Sequence, residues 1–288
     1  MSLAQLSPVP VRAIIINCST KAVTTLALLS ALRHANLPVL LIDCESTDGS
    51  WSWFENLARH HSFERLQAPL KPHGKTLDWL FTHTRDEALL LIDSDLEIMN
   101  PAVVALAREA IQPEAVYGAG FLHTHEGVGA PIHALGGRFM DRMWIPFSLL
   151  KVAPIQQALA QGVTFMHSRT YLEFPWSTAL SRLFYARHRL PGLGNISLEC
   201  FAASRERKYG ERSTFREYDT GAKLHENLLA AGYRLAHLGE DHWANSLRHY
   251  HGVTRATLKA GQANATAPDS ITTQVLTRLS DHYGVTVT

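Results

Sequence analysis

The chain has 288 residues, of which 46% are hydrophobic and 18% charged, and its formal net charge is +1. That is ample apolar material for a buried core and excludes a disordered chain. The near-neutral balance gives no electrostatic footprint for nucleic acid. Cys18, Cys44 and Cys200 are too few and too widely spaced for a disulfide framework or a zinc knuckle. The opening MSLAQLSPVPVRAIIIN lacks a basic leader followed by a long apolar stretch. No apolar run approaches the ~20 residues that cross a bilayer. A cytoplasmic protein is expected, and peripheral contact with the inner face of a membrane is compatible with that.

In chain order, VRAIIIN (11–17) predicts a β-branched strand and AVTTLALLSALRHA (22–35) a helix. PVLLIDC (38–44) and SWFENLARHH (52–61) repeat the pair, then FERLQA (63–68) and GKTLDWLFTHT (74–84). ALLLID (88–93) is the next strand, PAVVALAREAI (101–111) a helix with proline at its start, and AVYGAGFL (115–122) a further strand. Continuous apolar strands alternating with helices predict an α/β fold, a mostly parallel sheet covered on both faces. The rest is less regular until GAKLHENLLAAGYRL (221–235), which has helical periodicity, and the tail after Gly261 reads as peripheral. One domain with an inserted or appended region is expected.

Two acidic clusters fall at predicted strand ends. LLLIDSDLEI (89–98) runs into Asp93-Ser94-Asp95, and VLLIDCESTDGS (39–50) into Asp43 and Asp48. In open α/β sheets, ligands bind beyond the carboxyl ends of the strands. Paired carboxylates there either mark a solvated strand exit or grip a hard cation such as Mg²⁺ or Mn²⁺.

With Asp43, Ser46, Thr47, Asp48 and Gly49 followed some fifty residues later by Asp93-Ser94-Asp95, the sequence resembles the GT-A glycosyltransferases, in particular their family-2-like group. The resemblance covers about residues 12–122 well and 217–252 more loosely. It implies a GT-A-like, Rossmann-type fold and a nucleotide-sugar donor across the strand ends, with UDP as the default nucleotide. The donor half would be 11–122, an acceptor-binding and catalytic half 123–260, and the tail 261–288. Asp43 would meet the base or ribose, with Asn17, Ser19, Lys75, Asp78 and Ser94 also on the donor side. Asp95 would hold Mn²⁺ or Mg²⁺ on the diphosphate, with Asp93 on the ribose or a metal-bound water. The usual residues between Asp43 and Ser46 are replaced here by Cys44 and Glu45.

The resemblance also implies an acidic base ahead of a helix. REYDTGAKLHENLL (216–229) offers Asp219 first and Glu217 second, although an aspartate there also suits a helix N-cap. In RHYHG (248–252), His251, and behind it His249, would complete the metal site; a packed or surface histidine is the alternative. Trp144, Tyr171 and Trp176 are either a sugar platform or packing. Arg187, Arg189, Arg205 and Arg207 either meet a phosphorylated acceptor or form a solvated face. The expected acceptor is a hydroxyl on a carbohydrate, a lipid-linked sugar or a small molecule. Two other readings stay open. A sugar-1-phosphate nucleotidyltransferase would need a glycine-rich basic loop that NCSTKAVTT (17–25) lacks; the other is a non-catalytic sugar-nucleotide binder.

Overall fold

The computed structural model describes residues 3–124, 137–171, 215–250 and 269–287. A short 3₁₀ turn, Leu3–Gln5, precedes β1 (Val11–Asn17), α1 (Lys21–His34), β2 (Val39–Cys44), α2 (Ser50–Leu57), β3 (Glu64–Ala68) and α3 (His73–His83). Then come β4 (Ala88–Asp93), β5 (Leu96–Ile98), α4 (Ala102–Ala110), β6 (Val116–His123), β7 (Gly137–Phe139), β8 (Arg142–Lys151), α5 (Val152–Ala160) and β9 (Ser168–Tyr171). The chain continues through β10 (Phe215–Tyr218), α6 (Ala222–Ala230), β11 (Arg234–His237), α7 (Glu240–Ser246), β12 (Leu247–His249) and α8 (Asp269–Tyr283).

Seven strands form the main sheet in the order β11-β6-β8-β4-β1-β2-β3. All its pairings are parallel except those of β8, which runs antiparallel between β4 and β6. Successive residues of the central strands enter opposite layers. Ala13, Ile15, Leu41, Leu90 and Ile92 pack with α1 and α4, whereas Ile14, Leu40, Ile42, Leu89 and Leu91 pack with α3, α5 and α6. Burial on both faces is why these strands read as unbroken apolar runs. The chain is therefore α/β, with a mostly parallel sheet between two helical layers, as expected.

One sheet runs through both expected halves, because β8 and β11 come from beyond residue 122. β8 is absent from the elements expected above. Pro146 argues against a strand, and it falls where the β6–β8 register shifts between Gly120 and Leu122, outside the regular ladder. The expected helix over 221–235 ends at Ala230; Gly232 takes a φ of 88°, and the chain re-enters the sheet as β11. The tail is less peripheral than its composition implied, since Val275 and Leu279 of α8 are buried in the core layer that includes α1.

On the α6 side, the Tyr117 hydroxyl and Nδ1 of His225 share a hydrogen bond of 2.5 Å, with both side chains buried. Burial raises the Tyr117 pKa and lowers that of His225, so the imidazole is held neutral. The unfolded chain takes up this proton near pH ~6.5. Stability from the neutral imidazole is therefore present above that pH and lost as pH falls toward the depressed folded-state value. Denaturant melts between pH 5 and 7 should show a shallower acid slope in His225→Gln, by up to about 1.4 kcal/mol per pH unit.

Candidate metal and donor site

The strand order reverses at β1 and β4, and their carboxyl ends open the crevice in which such sheets take ligands. Asp93 ends β4 beside Ile16 of β1, while Asn17 is in register with Asp43 of β2. Past Asp93 the chain turns through Ser94 and Asp95 into β5, which pairs antiparallel with β12. That small ladder carries His249 back to the end of β4, where its Nε2 lies 3.0 Å from Asp95 Oδ1.

Asp93, Asp95 and His249 each present a ligand atom, and all three lie within 4.8 Å of one another. Carboxylates at that separation repel by about 3 kcal/mol at an effective dielectric near ~20. Burial is the main cause of a raised Asp93 pKa; the Asp95 charge adds to it, and His73, His249 and Arg142 oppose it. The metal-free site is thus costly to keep charged, and a cation offsets that cost. Two carboxylates and an imidazole suit Mn²⁺, and Mg²⁺ less well because of the nitrogen. The 3.0 Å His249–Asp95 separation matches adjacent ligands on an ion with bonds of ~2.1 Å. In metal-free buffer, Asp93→Asn should raise the melting temperature, by about 2–4 °C per kcal/mol relieved. Calorimetry with and without chelator checks this.

The other expected donor residues divide into groups that face the crevice rim and groups that build it. Asn17 and Asp43 are both fully buried. Asn17 Nδ2 donates to Asp43 Oδ1 at 2.6 Å and to Ser46 Oγ at 2.8 Å, and its Oδ1 accepts from the hydroxyls of Thr20 and Thr24. Ser46 Oγ donates to Asp43 Oδ1 at 2.6 Å. These bonds lock the β1 and β2 exits together, so any donor contact by Asp43 has to share an engaged carboxylate. Asp48 likewise accepts from the backbone N–H of Lys21 and of Ser50, which serves the first turns of α1 and α2. Ser19 sits at the rim with a φ of 51°; its Oγ accepts from Thr47 N and its own N–H bonds Ser46 Oγ. Lys75 is exposed on the first turn of α3. Asp78, one turn on, accepts from Phe165 N at 2.8 Å and so fastens the chain after α5 to α3. Burial raises its pKa. Ser94 is buried in the turn between the two acids.

In the region expected to face the acceptor, Asp219 does not cap α6. Gly221 occupies the N-cap with a φ of 81°, while Asp219 Oδ1 accepts from Thr220 N and Oδ2 pairs with Arg142 at 2.9 Å. Arg142 also acts on Asp93 by charge, which connects the two acids electrostatically. Glu217 is buried on β10, and its Oε1 meets His167 Nε2 at 2.6 Å. Trp144 meets the His249 ring edge-on, with centroids 5.3 Å apart, and packs against Trp243. His251, Trp176, Arg187, Arg189, Arg205 and Arg207 lie outside the described residues, as does the side chain of Tyr171.

Arg142, His167 and Trp144's contact with His249 were not assigned to the site from sequence. Arg142 lies in the irregular stretch whose strand was not recognised, and His167 has no motif around it. Only the fold brings them to the acids.

No protein-family model and no curated protein matches the chain. Among solved structures, it is similar to the mannosyltransferase PcManGT of Pyrobaculum calidifontis, solved with GDP-Man and Mn²⁺. That match is 13% identical, covers 96% of this chain and 72% of the other, and has a TM-score of 0.47. Residues 1–349 of Staphylococcus aureus TarS match at 14% identity over 95% of this chain and 73% of the other, with a TM-score of 0.38. Glucosyl-3-phosphoglycerate synthase of Mycobacterium tuberculosis, solved with phosphoglyceric acid, is 14% identical, with a TM-score of 0.36. It aligns over 50% of this chain, which spans 57% of the synthase. What the site can do rests on the chain's own side chains. Among the described residues, no helix is long and apolar enough to cross a membrane.

Proposed function

We propose that the chain is a metal-dependent glycosyltransferase of the GT-A type, moving a sugar from a nucleotide-sugar donor to a hydroxyl acceptor. The observation that carries this is the meeting of Asp93, Asp95 and His249 within 4.8 Å, at the carboxyl end of a mostly parallel sheet. The Asp-x-Asp order read from sequence and the convergence in space are separate facts that agree. Asp95 and His249 would hold Mn²⁺, with Asp93 as third ligand or as a contact to the ribose or a bound water. Bound there, the ion supplies Lewis-acid stabilisation of charge on a departing nucleoside diphosphate. Ser19 at the rim and the β2 exit loop receive the nucleoside, with Asn17 and Asp43 fixing that loop's shape. Lys75 and Asp78 would support the donor through α3, Lys75 from its exposed first turn.

Asp219 is the preferred base. It is half-exposed, held by Arg142, and so available to a hydroxyl, whereas Glu217 is buried against His167. Deprotonating the acceptor as it attacks from behind the anomeric carbon would invert that centre. UDP is the default nucleotide, and the acceptor is a carbohydrate, lipid-linked or small-molecule hydroxyl. The location that fits this reading is the cytoplasm or the inner face of a membrane.

A thermal-shift screen of nucleoside diphosphates and nucleotide sugars, with and without Mn²⁺, tests the reading. A donor at a hundred times its dissociation constant should stabilise the chain by about 2.7 kcal/mol, and only with the metal present. Equal shifts without Mn²⁺, or none with any nucleotide, would overturn it.

A further inference from the structure

Resting on the metal reading above, we infer that the C-terminal helix α8 is a positioning element for the metal group, acting through buried Glu97. Glu97 lies on β5, two residues past Asp95, and is fully buried. Its carboxylate accepts from three directions. Arg278 Nε of α8 donates to Oε1 at 2.7 Å, Tyr283 Oη at the end of α8 donates to the same oxygen at 3.3 Å, and Tyr250 Oη donates to Oε2 at 3.0 Å.

Tyr250 makes the link to the site. Its phenol is on Glu97, its backbone N–H donates to the Asp95 carbonyl at 2.8 Å, and the residue before it is His249. A continuous path of contacts therefore runs from α8 through Glu97 and Tyr250 to both members of the 3.0 Å His249–Asp95 pair. The helix is itself fixed. Val275 and Leu279 are buried, and Arg33 of α1 stacks over the Tyr283 ring at 4.7 Å. Ser30 of α1 accepts the Ile98 backbone N–H at 3.0 Å, so α1 braces the other end of β5.

A two-stranded ladder of three residues per strand is too short to hold its register unaided. A buried carboxylate with a guanidinium and two phenols converging on it supplies the missing rigidity. Glu97, Arg278 and Tyr250 touch no reacting atom in this scheme. Their effect is on where His249 and Asp95 sit when a metal arrives, the role that outer partners play for metal ligands.

The test is Mn²⁺ titration of the full chain followed by electron paramagnetic resonance, with the melting temperature of each protein measured in metal-free buffer. Arg278→Met keeps the aliphatic stem but removes the donors, and should weaken Mn²⁺ binding about 10-fold. Tyr250→Phe should weaken it in the same direction, and Arg278→Lys, which retains a charged donor, should recover most of the loss. A lower melting temperature with unchanged Mn²⁺ affinity in both Arg278→Met and Tyr250→Phe would overturn the inference and leave α8 as packing alone. No Mn²⁺ binding by the unsubstituted chain would overturn the metal reading as well, which separates the two failures.

Discussion

Asp95→Ala should abolish stoichiometric Mn²⁺ binding and lower sugar transfer by at least about 10³-fold. Asp95 is the most buried of the three candidate ligand residues, and its carboxylate already holds His249 at 3.0 Å. Alanine removes a ligand and at the same time frees the imidazole from its orienting partner. Charge stabilisation by a metal at a developing diphosphate is worth several kcal/mol, and each ~1.4 kcal/mol is a factor of ten in rate. His249→Ala should weaken Mn²⁺ binding less, because both carboxylates remain. Measuring Mn²⁺ affinity and transfer on the same preparations checks the coupling: full transfer by Asp95→Ala with an identified donor would remove the metal from the mechanism.

The second large effect is expected at Asp219. Asp219→Asn is nearly isosteric, keeps an acceptor for the Thr220 N–H, and leaves Arg142 at a partly exposed position where water can solvate it. It should lower kcat by about 10²–10⁴-fold, the range general-base catalysis covers, while Mn²⁺ and donor affinity stay at their original values. Glu217→Gln serves as the comparison. If the loss of kcat appears there and not in Asp219→Asn, the base is the His167-linked carboxylate. If both variants lose donor affinity rather than kcat, neither acid is a base.

The first half of the fold was legible because parallel sheets write themselves plainly. ALLLID (88–93) is buried on both faces, and its predicted limits coincide with those of β4. Asp93 and Asp95 follow directly, so the acids could be placed at a strand end without coordinates. The middle of the chain was harder to read for a local reason. β8 carries Pro146 and an irregular register, so its central, antiparallel position in the sheet could not be inferred from periodicity. Arg142 was missed along with its strand, and with it the tie between Asp93 and Asp219.

Side-chain roles were legible only in part. Asn17, Asp43 and Asp48 occupy positions that a ligand-binding motif and a loop-building network would fill with the same residue types. Geometry shows them bonded chiefly to the loops themselves. The Asp219 ambiguity has the same origin, because an aspartate ahead of a helix reads as a cap until Gly221 is seen in that place. The part-buried contact between Glu97 and Arg278 spans 181 residues of sequence, a separation over which no local pattern carries information.

The central claim is that Asp93, Asp95 and His249 form one divalent-metal site serving a nucleoside diphosphate. Mn²⁺ titration of the full chain, followed by electron paramagnetic resonance with and without UDP or GDP, tests it most directly. The expected result is a single Mn²⁺ per chain, bound more tightly when the nucleotide is present and no longer bound stoichiometrically in Asp95→Ala. Absence of stoichiometric Mn²⁺ in both conditions, or a site of undiminished affinity in Asp95→Ala, would contradict it.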